Sequence, residues 1–264
     1  PKWVGELYLE YHRGTYTSMA RNKRWNRKNE FMLETAERVS VLGEQLLGRP
    51  YPAKELHDGW EILLLNQFHD IIPGSSVKEV YEESKKQYEA LERRRDQWIT
   101  PVLDELGRQV QSKGILCYNP TSFERSECVE HNGQTVYLEH IPPLGYCVVQ
   151  PTVLEQTMQI DERGMENEFF RLRWNEAGWL TEIYDKRVDR QVLQPGKPGN
   201  VMTAFEDRPV KYDAWDVMIY DQEKGWDLDA PAAIKVTCNT AERVSVTFTK
   251  PFLSSVVTQT ISLY

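Results

Sequence analysis

The chain has 264 residues and a formal net charge of −8, from 40 acidic and 32 basic side chains, and 40% of its residues are hydrophobic, enough for one large core or two ordinary ones. Acids and bases are interspersed, and basic runs such as Arg21-Asn22-Lys23-Arg24 and Arg93-Arg94-Arg95 read as solvated faces, which argues against a nucleic-acid surface. No apolar run reaches the roughly 18 residues needed to cross a bilayer, so no membrane span is expected.

In chain order, PKWVGELYLE lacks the charged, apolar and small-residue regions of a secretory signal and has no initiating Met. The first clear element is a helix marked by Phe31, Ala36, Val39, Leu42 and Leu46, closed by Gly48 and the Pro50-Tyr51-Pro52 breaker. The pattern then predicts a second helix from about Ala53 to Ile72, stopping at Pro73-Gly74. A third opens with Ser76-Val77-Lys78-Glu79, read as a capping box, and continues through Tyr81, Ser84, Tyr88, Leu91 and Trp98 to Val102, with Thr100-Pro101 kinking or restarting it. Three long helices with short connections predict a three-helix bundle over residues 20–112.

Near residue 113 the period changes from 3.6 to 2. Runs such as ILCYN, TVYLE, YCVVQ, FFRLRW, WLTEIY, AIKVTC and RVSVTFT, separated by Asn-Pro, Asn-Gly, Pro-Pro and Pro-Gly signals, predict an antiparallel β-sandwich over 113–264. FFRLRW-NEAG-WLTEIY is the clearest hairpin. The closing VVTQTISLY reads as an unfinished strand, so the sandwich is expected to be partial and both termini to be cuts through a longer protein. The fold class is thus an α+β multidomain fragment. Residues 195–232, rich in aromatics and acids and poor in pattern, read as a long ordered loop, a usual place for binding groups. Cys117, Cys128, Cys147 and Cys238 form no C-x-x-C pair, so neither a disulfide framework nor a thiolate zinc site is indicated, and reduced thiols in the cytoplasm fit best.

The stretch LLLNQFHDIIPGS, Leu63–Ser75, carries Asn66, Gln67, His69 and Asp70 inside an oily segment, where burying each polar group is costly without a partner. On a helix Asn66, His69 and Asp70 share one face, with Leu63, Leu64, Phe68, Ile71 and Ile72 around the rest. A helix apolar nearly all round is a buried one, so this polar face should look into a cavity or onto another domain. Neutral imidazole presents a lone pair to a divalent metal, and a neighbouring carboxylate can orient hydroxyls; from spacing alone, a satisfied structural His-Asp pair explains the same residues. In YDAWDV, Asp213, Trp215 and Asp216 set an aromatic between two carboxylates, which suits a sugar or, equally, a loop anchor. His57, His131 and His140 have no ligand partners nearby in sequence and are expected at the surface.

Four motifs in order, GELYLEYHRGTYTS (Gly5–Ser18), LLLNQFHDIIPGSS (Leu63–Ser76), LCYNPTSFERSE (Leu116–Glu127) and FEDRPVKYDAWDV (Phe205–Val217), resemble the glycoside hydrolase family 38 α-mannosidases, closest to the cytosolic-type and bacterial branch. The resemblance covers essentially the whole chain. It implies an N-terminal α/β barrel, a helical middle domain and C-terminal β domains, with residues 1–19 as the exit from a barrel that this chain does not contain. In that family the histidine of N-Q-F-H-D is one of four ligands of a catalytic zinc, a role that falls on His69, and the following acid holds mannose hydroxyls, a role that falls on Asp70. The aspartate nucleophile, the acid/base and the other zinc ligands are expected in the barrel, so the catalytic residues have no position here, and the fragment alone is expected to be inactive.

The implied substrate is a mannose-containing oligosaccharide and the implied cofactor Zn2+, in a cytoplasmic enzyme for which a homo-oligomer is compatible. In HRGTYTS, Arg13 and Tyr16 resemble residues at the rim of the site, although a structural salt bridge would also account for Arg13. Golgi-type relatives carry an arginine after Thr-Ser where Met19 stands here, which argues against Golgi-type glycan trimming. A mannosylglycerate-type hydrolase on the same scaffold and a non-catalytic carbohydrate-binding module are the alternatives; the module gives no reason for polar groups in the second helix.

Overall fold

The structure, a computed structural model, describes residues 2, 4, 12–111 and 113–264. Gly5–Tyr11, the first half of the opening motif, lies outside the described residues, so most of the expected exit segment over 1–19 is followed only from His12. The described chain forms two compact units. One takes the residues up to Glu124 with Pro142–Val148 and Asp207–Asp221, and the other takes Arg125–Ile141, Val149–Glu206 and Gln222–Tyr264.

The first unit is built on α1 (Ala20–Leu47), α2 (Ala53–Asn66), α3 (Lys78–Trp98) and α4 (Thr100–Gln109). Helix α1 stops where Gly48 turns left-handed, φ +66°, and returns its N–H to the Glu44 carbonyl. Between α3 and α4, Ile99 keeps helical dihedrals and accepts from the Leu103 amide, so the interruption reflects the donor that Pro101 lacks. Leu33, Ala36, Leu56, Leu63, Tyr88, Leu91 and Trp98 make one core, and Val39, Val102 and Leu106 a second cluster. Gly59 permits close packing there, since a Cβ on it would lie 2.9 Å from Leu33 Cδ2. Phe31 and Leu46, expected on the buried face of α1, are exposed; the seam runs instead through Leu33, Ala36, Val39 and Gly43. One polar contact in the seam joins two helices, where Ser84 donates to Asn22 Oδ1 at 2.6 Å. The strands β1 (Ile115–Asn119) and β4 (Gly145–Val149) pair with each other in this unit, and the Arg38 guanidinium donates to the Pro120 carbonyl.

The second unit is antiparallel β throughout its named strands. A hairpin joins β2 (Arg125–His131) and β3 (Gln134–Ile141) through Asn132-Gly133, both at positive φ. A five-stranded sheet runs in simple order through β5 (Gln159–Ile160), β6 (Gly164–Glu166), β7 (Phe170–Trp174), β8 (Leu180–Asp185) and β9 (Arg190–Gln191). A three-stranded sheet orders β12 (Ala233–Asn239), β13 (Val244–Phe252) and β14 (Ser255–Leu263). One core draws on both sheets, with Met165, Leu172, Trp174 and Leu180 from the first and Val244, Val246 and Phe248 from the second; Trp174 meets Phe248 edge-on at 5.4 Å. The β7/β8 turn forms as NEAG predicts: Asn175 Oδ1 accepts from the Ala177 and Trp179 amides, and Gly178 sits at φ +75°. Residues 195–232 are less irregular than a loop, carrying the paired strands β10 (Thr203–Phe205) and β11 (Gly225–Asp227) and a 3-10 turn at Ile219–Glu223.

Candidate functional site

Helix α2 ends at Asn66, six residues before the predicted end, and its exit tightens as Gln67 and Phe68 donate to carbonyls three residues back. The expected shared face is therefore absent. Asn66 points inward, 1% exposed, donating from Nδ2 to the Ile62 carbonyl at 2.9 Å and to Gln87 Oε1 at 2.7 Å, and Gln67 donates to Glu30 Oε1 at 2.9 Å. His69 and Asp70 sit in the following turn with side chains 75% and 51% exposed and with His69 Nε2 3.4 Å from Asp70 Oδ2. Phe68 lies against the imidazole, ring centroids 4.1 Å apart. Nor is the segment buried all round, because Leu64, Leu65 and Phe68 are each more than half exposed.

The turn is braced through its main chain. The Asp70 carbonyl accepts from Ser76 Oγ at 2.6 Å and Ser75 Oγ at 3.3 Å, and the Ile71 carbonyl accepts from the Tyr81 hydroxyl at 3.1 Å. Ser76 is thereby diverted from the predicted capping box: α3 starts at Lys78 behind Val77, with no side-chain cap. On the other side, Lys23 Nζ donates to the carbonyls of Ile72 at 2.7 Å, Pro73 at 3.2 Å and Ser18. Burial holds the Lys23 amine below its ordinary 10.5.

Ser18 is also where the HRGTYTS and YDAWDV motifs meet. Its hydroxyl is within 2.9 Å of both the Gly14 and Ala214 carbonyls, and the Gly14 amide donates to the Trp215 carbonyl at 2.8 Å. Gly14 eases this approach, since a Cβ on it would lie 3.1 Å from the Trp215 carbonyl carbon. Three of the four motifs thus meet around Ser18 although some 200 residues separate their ends. Of the other predicted site residues, Arg13, Tyr16 and Asp213 are exposed. Trp215 is half-buried with its ring edge-on to His12 at 5.3 Å, and Asp216 is buried, accepting from the Val217 amide at 2.9 Å. His57, His131 and His140 are exposed. Sequence reasoning missed Lys23, Ser76 and Tyr81. The only hint for Lys23 was a cation at the start of a helix, in a run set aside as solvated.

Chemically, an accessible imidazole beside a carboxylate can supply one metal ligand and one acceptor for sugar hydroxyls. No group of three or more His, Cys, Asp and Glu among the described residues could hold a metal ion, so the donor set fits a zinc site as a contributor of a single ligand. Among the described residues, no helix is long and apolar enough to cross a membrane.

Residues 10–106 match the α-mannosidase middle domain, and residues 165–264 match the glycosyl hydrolases family 38 C-terminal domain. The chain is 32% identical to α-mannosidase 2C1 of Mus musculus over 244 residues and to that of Homo sapiens over 241 residues. Each alignment takes 84% of this chain and 23% of the relative, so the chain spans about a quarter of these relatives' length. The crystal structure of an α-mannosidase from Enterococcus faecalis V583 shares the fold, with a TM-score of 0.68 at 16% identity over 89% of this chain and 35% of that one. The chain belongs to the glycoside hydrolase family 38 α-mannosidases, whose middle and C-terminal domains it matches in order.

Proposed function

We propose that this chain is part of a zinc-dependent retaining enzyme that hydrolyses α-mannosyl linkages of oligosaccharides in the cytoplasm. In this reading residues 20–112 are a three-helix middle domain, 113–264 begin a β-sandwich, and 1–19 lead out of a barrel that carries the nucleophile and the acid/base. The observation that supports it best is the turn after α2, where His69 and Asp70 stand exposed on a main chain braced from both sides. His69 would hold the zinc together with ligands from the barrel. Bound there, zinc would supply Lewis acidity toward the sugar's hydroxyls.

Asp70, an acceptor when ionised, takes hydrogen bonds from the sugar's hydroxyls and orients the ring. Arg13, Tyr16 and Asp213 line the approach with donors and acceptors, and Trp215 and Asp216 hold that rim in shape. A retaining reaction needs two carboxyl groups about 5 Å apart, both assigned to the barrel. One imidazole is well short of the three or so protein ligands of a catalytic zinc, so this chain alone should bind zinc poorly and turn over nothing. The test is made on the full-length protein. His69→Ala should strip the zinc and lower nitrophenyl α-mannoside turnover by about 100-fold or more; metal content equal to that of the parent would defeat the ligand assignment.

A further inference from the structure

We infer that Lys23 is a positioning residue for the metal and sugar site, fixing the turn that presents His69 and Asp70; the inference rests on the function proposed above. All three N–H groups of its ammonium are taken by main-chain carbonyls, those of Ser18, Ile72 and Pro73. Three converging carbonyls hold a cation in one place, whereas a single flexible carboxylate would leave it free to swing.

The junction is close as well as polar. Gly74 has φ +98°, and a Cβ on it would lie 2.6 Å from Ser18 Cβ and 2.8 Å from the Ser18 carbonyl carbon, so the turn presses directly on the start of α1. Across the turn, Ser76 and Tyr81 engage the carbonyls of Asp70 and Ile71. Every carbonyl from Asp70 to Pro73 therefore has a donor, while the two side chains at the head of the turn reach solvent. A fixed main chain under two accessible side chains is the support that a metal ligand requires, and loosening such support weakens metal affinity without touching the ligand.

The experiment compares zinc affinity, by chelator competition, in full-length wild type, His69→Ala, Lys23→Met and Lys23→Arg, with thermal unfolding recorded alongside. Lys23→Met should weaken zinc about 10- to 100-fold, and Lys23→Arg should recover part of the loss. If Lys23→Met lowers the melting temperature but leaves zinc affinity within about twofold, Lys23 is a folding brace and the inference is overturned. Should Lys23→Met fail to fold, Lys23→Gln keeps two donors on a shorter stem and is judged by the same twofold limit. An unchanged affinity in His69→Ala would instead sink the underlying functional reading, so the two failures are separable.

Discussion

Asn66-Gln67 and His69-Asp70 are separated by one residue and meet opposite environments. The first pair turns into the helical unit and spends its hydrogen bonds on Ile62, Gln87 and Glu30; the second leaves the helix and keeps its side chains in solvent. The dividing event is the end of α2 at Asn66, with Gln67 as its cap and His69 and Asp70 in the turn beyond. Polar residues in an oily stretch can thus meet two fates, tied into helix packing before a break and left open to solvent after it.

Stability measurements on the folded chain can break this contrast. Leu63→Ala sets the scale, because Leu63 is fully buried in the helical core and its truncation should cost about 2–5 kcal/mol in denaturant unfolding. Asn66→Leu should come next, at about 1–3 kcal/mol, since it removes both bonds of a buried amide and leaves Gln87 Oε1 without that donor. A cost as small as that of a surface change would show that Asn66 is not the structural member. His69→Ala should be smallest, within about 0.5 kcal/mol, because the ring is 75% exposed. Near-neutral stability together with lost zinc in the full-length protein would sharpen the contrast, and a large destabilisation would erase it.

Periodicity sufficed for the helical and strand-rich halves and for the β7/β8 hairpin, whose turn is dictated by four adjacent residues, Asn175 to Gly178. It failed where the deciding partner is distant. The second helix was expected to reach Ile72, but Lys23 and Tyr81 capture the carbonyls of Ile71 to Pro73 from 10 to 50 residues away. Ser76 had a local use as a helix cap and lost it to the Asp70 carbonyl. The candidate site was legible as residue types in N-Q-F-H-D and as four motifs resembling one family. That three of these motifs meet at Ser18 follows from tertiary hydrogen bonds, which no repeat or spacing encodes.

The segment Asp207–Asp221 belongs to the helical unit although nearly a hundred residues of strands precede it in the chain. During synthesis the helices can assemble early, but the strip that packs on Gly14 and Ser18 is still inside the ribosome at that time. The helical unit can reach its final form only after most of the β unit has emerged.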